Sequence, residues 1–330
     1  MNKTVFILLP FIILLAFSPL KAQMLLPSLS SSLEKYPNFN PEYIKKHNVK
    51  TITFDIIDKK DMQVAVDKGL MHYYEFDKNG LLTRFFYTVI AKTVVQEYHT
   101  QPVYKKRRKI SSGGVYYKND YVYDTISTRF YYDSNQRLIL SRYNDGNYYE
   151  ALYYEYNHEN QVTKVLRAKE TNASGYKNVF QMGIQTVLSD ERFQYIKTGD
   201  KQYKKLCLND ESRIFKEVIV TNNENAQPVN WNEVFTATWI NQESKFAYNE
   251  KKQLIEKNYK SNTGDILTTK STFEYDKEGN LLTEKQYRNE TLMNELSYLF
   301  DASDQRVKSF LDRDHINKTI RITKVFYTFW

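Results

Sequence analysis

One cysteine, ten glycines, seven prolines and five histidines are all that 330 residues hold of these types. Each scarcity excludes something. The lone Cys207 cannot form an internal disulfide, so an exported chain of this length must stand on its core alone. It lies between Leu206 and Leu208 and reads as a buried, inert thiol rather than a nucleophile. The histidines are His47, His72, His99, His158 and His315; no two have metal-ligand spacing and there is no His-Glu-x-x-His. The few glycines form no phosphate loop or dinucleotide fingerprint, and Gly-x-Ser-x-Gly is absent. The turns at Asp77, Asp133 and Asp301 lack the ligand density of a calcium loop, and capping of the turn explains their acids. No metal, cofactor or catalytic residue is expected from these patterns. Acids are abundant enough for a distant carboxylate pair of the glycosidase kind, yet nothing marks particular residues.

What is present begins with an export signal. Lys3 opens a basic start, Val5 to Phe17 is apolar apart from Pro10, and Ser18-Pro19-Leu20-Lys21-Ala22 precedes Gln23. The apolar run is short for a bilayer-spanning helix, so residues 1–22 read as a secretory signal peptide cut after Ala22. No transmembrane helix is expected after cleavage. The absence of cysteine near that junction excludes a lipoprotein anchor. The chain is therefore expected outside the bacterial cytoplasm: periplasmic, on the outer surface or secreted.

Aromatic residues make up 15% of the chain, with 28 tyrosines, and no long helical period interrupts them. Tyrosine suits a strand whose ring packs while its hydroxyl stays wet. Residues 23–48 form a leader, with Pro27, Pro37 and a serine run, followed by a short helix. That helix has Asn40 as N-cap and Pro41 at its first position, and ends near His47-Asn48. From residue 49 to 330 a turn motif recurs. Tyr275-Asp276-Lys277-Glu278-Gly279-Asn280-Leu281 is the clearest copy, and Phe76-Asp77 through Gly80 to Leu82 nearly repeats it. Looser copies start at Asp133, Asn157, Asn249 and Asp301. In each, Asp or Asn can bond the backbone two residues on, and the fourth residue suits a positive φ. Copies recur at about 25 residues, room for two strands and two short turns. Residues 171–240 fit the period worst and read as degenerate repeats or an insertion.

The string Tyr275 to Leu281 resembles the YD-repeat (RHS-like) family of bacterial secreted and surface proteins. The resemblance is good for one unit and partial for five, over residues 73–310. It implies β-hairpins built around Tyr-Asp turns and nothing of the family's toxin delivery or shell formation. The departures are Gln136, Asn160, Lys252 and Asp304, which stand where glycine is expected. The expected fold is all-β: antiparallel hairpin repeats in an extended or curled sheet, with the short N-terminal helix.

One charge cluster stands out. Lys105-Lys106-Arg107-Arg108-Lys109 precedes a Ser111-Ser112-Gly113-Gly114 turn and is followed by Tyr116, Tyr117, Tyr121 and Tyr123. Cations beside aromatic faces point to an anionic glycan or an envelope protein as partner. Equally, cations there can simply blunt an edge strand, and the tyrosines can be core. No nucleic-acid module is present. The leading reading is an exported, non-enzymatic binding or structural module of the envelope. An outer-membrane β-barrel is an alternative, suggested by the aromatic ending Val325 to Trp330 and opposed by Lys324 and by charges on both sides of many strands. A secreted hydrolase is another.

Overall fold

The computed structural model describes residues 23–29 and 37–330, apart from 101–102, 106–107, 112–113, 146–147, 177–178, 239 and 264–266. The signal peptide expected at residues 1–22 lies outside the described residues. From Val49 onward the chain runs strand after strand, each antiparallel to the one before it in the sheet. The last strand, Thr319–Phe329, pairs along its length with the first, Val49–Lys60, from Thr319 opposite Lys60 to Phe329 opposite Val49. The sheet is therefore a closed barrel of 18 strands, not the extended or curled sheet expected from the repeats. Strands twist in one hand, so staggered hairpins laid side by side bend the sheet one way until its edges meet. Closure leaves the barrel wall itself no unpaired edge. Residues 171–240 are neither linker nor separate subdomain. They supply barrel strands such as Met182–Lys197, Gln202–Leu208, Ile214–Asn222 and Pro228–Phe235.

The turns are hairpin turns as the motif requires. In each, the first residue's side-chain oxygen accepts from backbone N–H groups ahead of it: Asp77 from Asn79 and Leu81, Asp133 from Asn135 and Arg137, Asn157 from Glu159 and Gln161. The fourth residue has positive φ at Gly80 (82°), Gly279 (94°), Gln136 (62°), Asn160 (61°) and Lys252 (64°). In the turn from Asp301 one residue is inserted, and Gln305 (60°) rather than Asp304 takes that place. Two further copies lie in the region that fitted worst, at Asn209 and Asn223, with Ser212 (61°) and Ala226 (59°) left-handed. The first and fifth residues form a complementary pair. Asn157, Asn223 and Asn249 donate to Gln161, Gln227 and Gln253, whereas Asp133 and Asp276 accept from Arg137 and Asn280. An amide is matched by an amide acceptor and a carboxylate by a donor, and this supports left-handed backbone without glycine.

The repeated tyrosine also has a purpose the motif did not reveal. Tyr132, Tyr156, Tyr248, Tyr275 and Tyr327 each donate to a backbone carbonyl where the preceding hairpin's return strand starts: Leu82, Leu138, Pro228, Leu254 and Val307, at 2.7–2.9 Å. One hairpin is thus tied to the one before it. Removing one such hydroxyl by Tyr275→Phe should cost about 1 kcal/mol, the net value of a half-buried hydrogen bond. Urea unfolding checks this; an unchanged midpoint would show the tie to be idle.

Candidate functional site

The lumen is occupied by the chain's own first described residues. Asn40 caps the helix Pro41–Lys46, its side chain accepting from the Glu42 N–H at 3.1 Å, and the helix buries Tyr43 and Ile44. Upstream, Leu25–Leu26 pairs with Asn38–Phe39. Residues 23–29 and 37–40 are therefore packed structure rather than a mobile leader. The Phe39 ring meets Tyr74 at 4.8 Å and Phe76 at 5.2 Å, with Phe54 at 6.4 Å. Leu29 packs on the cluster of Phe246, Leu254, Phe273 and Leu281.

This segment is inside the barrel. It lines cavities with residues from strand Leu281–Arg288 round to strand Tyr149–Tyr156, more than half the circumference, which only a concave face permits. The Phe54 and Phe310 rings are 5.2 Å apart although strand Thr319–Phe329 runs between theirs, so side chains on this face converge. Alternation along each strand then assigns every other residue.

Two interior cavities flank the plug. One, ≈ 520 Å³, lies between Pro37–Phe39 and Tyr143, Glu150, Leu152 and Tyr154. The other, ≈ 390 Å³, lies between Leu25–Ser28 and His72, Glu284, Asp312 and Arg321. An interior row runs in register from Glu284 through Leu296, Asp312 and Arg321 to Asp58, with Arg321 Nε 3.0 Å from Asp58. These are acids and a cation within a mostly aromatic wall, a lining that can hold a polar ligand. Among the described residues no group of three or more His, Cys, Asp or Glu is placed to hold a metal. Cys207 is free and buried.

The helix sits at the rim that carries the Asp77 turn and Trp330, beside Asp304 and Arg306. Burial lowers the His47 pKa, helped by the neighbouring charges of Lys46 and Arg306. Burial pushes the Tyr43 hydroxyl up to about 12, and no hydrogen-bond partner among the described residues relieves it. In the turns, the backbone N–H of Arg137 holds Asp133 below the usual carboxylate range, and the Ser303 hydroxyl and N–H do the same for Asp301.

The residues expected to bind ligand are together, on a projecting arm. Strands Leu82–Thr100 and Gly114–Tyr132 pair from Arg84 opposite Arg129 to Thr100 opposite Gly114. Their outer neighbours pair with them only as far as Tyr87 and Ser127, so beyond that point the hairpin leaves the barrel. At its tip the short strands Val103–Lys105 and Arg108–Ser111 pair with Lys105 opposite Arg108; Lys109 belongs to the second, and Lys106 and Arg107 are outside the described residues. Tyr116 pairs opposite Tyr98, and Tyr117 is 66% exposed. Tyr121 lies 6.5 Å from Tyr123, whose hydroxyl donates to the Lys68 carbonyl and so ties the arm's base to its neighbour. Exposed Val95, Val115 and Val122 add apolar surface.

The outer wall is charged in one sector. Glu243, Lys245, Glu256, Lys260, Lys270, Glu274 and Lys285 alternate with inward residues and so face out, with pairs Lys270–Glu256 at 2.7 Å and Lys245–Glu243 and Lys285–Glu274 at 3.3 Å. A depression of ≈ 660 Å³ lies on this sector.

No protein-family model matches the chain, and no curated protein does. Among solved structures it is similar to a porin-like protein from Bacteroides uniformis, at 8% identity over 85% of this chain and 98% of that one, with a TM-score of 0.36. A porin-like protein from Bacteroides vulgatus is similar at 10% identity, over 61% of this chain and 94% of that one, with a TM-score of 0.29.

Proposed function

We propose that this is a cell-envelope β-barrel of outer-membrane topology, acting by binding or structure rather than catalysis, with a lumen partly filled by its own N-terminal segment. The observation that supports it is the closed barrel with its polarity. The strand number is even, neighbours in sequence are neighbours in the sheet, and the first strand meets the last. Both described ends share one rim and the long arm projects from the other, as the long loops of bacterial outer-membrane barrels do, while the remaining turns of the two rims are of similar length. The export signal and the aromatic strand ending at Phe329 agree with this. On this reading the YD-like motif is a barrel-building unit. The basic, aromatic arm is the part that meets an anionic glycan or an envelope protein.

One observation favours a second reading, a barrel of the same build that stays in water. The outward Lys245, Lys260, Lys270 and Lys285 occupy neighbouring strands of only eight or nine residues. A lysine on a lipid-facing wall costs about 2–4 kcal/mol at the midplane. Expression with the native signal and fractionation of the envelope separates the two. Outer-membrane topology with insertion predicts recovery in the outer-membrane fraction and extraction only by detergent. Release as a folded monomer by osmotic shock alone would overturn insertion and establish the water-soluble barrel.

A further inference from the structure

Three arginines stand side by side on the outer wall, contributed by three adjacent strands. Arg84 lies directly opposite Arg129, and Arg129 directly opposite Arg142. Side chains so placed are neighbours, and like charges directly opposite one another destabilise a sheet. Arg84 has Glu75 directly opposite on its other side, and Arg142 is compensated more closely. Its Nε donates to Glu170 Oε2 at 2.7 Å and its guanidinium lies 4.1 Å from the Phe180 ring centre. Glu170 is fully buried and also accepts from Tyr153 and from Gln185 at 3.3 Å, so its remaining capacity is spent away from the other two arginines. Arg84 and Arg129 have no ion-pair partner within 4 Å among the described residues. Arg84 rests 5.1 Å from the Phe86 ring centre, and its buried Nε has no acceptor. Asp124, whose Oδ1 accepts from the Thr125 N–H, lines the same space.

The three guanidinium groups line one cavity of ≈ 170 Å³ with Tyr131, Asn144 and Tyr149. We propose that this row is a binding site for a tetrahedral oxyanion of the phosphate class, free or as the headgroup of an anionic lipid. Planar guanidinium forks present paired donors, and an anion with three or more oxygens can meet three forks in line. Such an anion would supply the acceptor that Arg84 Nε lacks and cancel the repulsion across the row. Glu170 and Phe180 hold Arg142 in place beforehand, so part of the site is preorganised.

The experiment compares the mature protein with Arg129→Gln at low ionic strength, in detergent if the protein requires it. Two probes are titrated calorimetrically against a sodium chloride control: inorganic phosphate and dihexanoyl phosphatidylglycerol. Binding of phosphate, weakened about tenfold or more in Arg129→Gln, supports a site for the free anion, since one charge-assisted contact is lost. Binding of the lipid alone, with the same loss, supports a headgroup site. A second readout separates this from a structural role: without anion, Arg129→Gln should melt no lower than the wild type, because it relieves repulsion. No heat from either probe beyond the chloride control, or undiminished binding in Arg129→Gln, would overturn the proposal.

Discussion

Replacing Phe39 by alanine should destabilise the protein by about 3–5 kcal/mol, the usual cost of truncating a buried phenylalanine. The ring belongs to a two-residue strand that is held mainly by side-chain contacts. It closes the gap between Phe54, Tyr74 and Phe76, all essentially buried, and among the described residues of the plug no other ring is placed against all three. Without it the cavity beside Asn38 should open further and the three wall rings lose a shared partner. The barrel's own hydrogen-bond ladder does not pass through Phe39, so strand content by circular dichroism should be kept. Uptake of a hydrophobic dye should rise. Phe39→Leu, which keeps most of the volume, should cost less than about 1.5 kcal/mol. Urea unfolding of both variants measures the difference. A Phe39→Ala loss below about 1 kcal/mol would mean that the N-terminal segment is not part of the cooperative core.

How much of this was legible in the sequence differs from part to part. The turns were legible because each is written locally: an Asp or Asn oxygen, two N–H groups ahead of it, and a fourth residue with positive φ. The copies at Asn209 and Asn223 were missed because Leu208 and Asn222 stand where every other copy has an aromatic residue. The pairing of the first residue with the fifth, visible as Asn223 with Gln227 beside Asn249 with Gln253, is the signal that could have found the second of them. Helix Pro41–Lys46 was legible from its cap and its proline. Closure was not. No single hairpin encodes it, because it depends on the sum of twist and stagger over all the strands.

The candidate site was less legible than the fold. Pro27, Pro37 and the serines gave residues 23–40 the composition of a loose leader, and composition cannot show that Met24, Leu25 and Phe39 meet a barrel wall. The arm's residues were found as a group because they are contiguous. The row of Arg84, Arg129 and Arg142 is the opposite case. Arg129 and Arg142 face each other across one hairpin while Arg84 lies beyond the arm, so the three become neighbours only once strand register is known. Charge patterning read along the chain is blind to such a row, whereas it readily marks Lys105–Lys109.

Gly80 and Gly279 close equivalent turns, yet alanine should be far less tolerable at the first. Both have positive φ, 82° and 94°, where an L side chain costs about 1–2 kcal/mol. At Gly279 the added Cβ would lie 3.1 Å from Gln253 Nε2, the end of a side chain that can swing aside. At Gly80 it would lie 2.1 Å from the Pro41 carbonyl oxygen and 3.0 Å from the Lys45 nitrogen, backbone atoms of the helix that have nowhere to turn. Gly80→Ala therefore has to push the helix off the rim. Lifting it exposes Tyr43 and Ile44, both buried, and an aliphatic side chain such as Ile44 alone is worth about 1.5–3 kcal/mol. The expected cost of Gly80→Ala is thus roughly 3 kcal/mol or more, against about 1–2 kcal/mol for Gly279→Ala. Urea unfolding of the two variants side by side gives the comparison, and limited proteolysis should cut near residues 41–47 in Gly80→Ala only. Equal costs, with the helix still protected, would show that the turn and the helix are not pressed together as the structure has them.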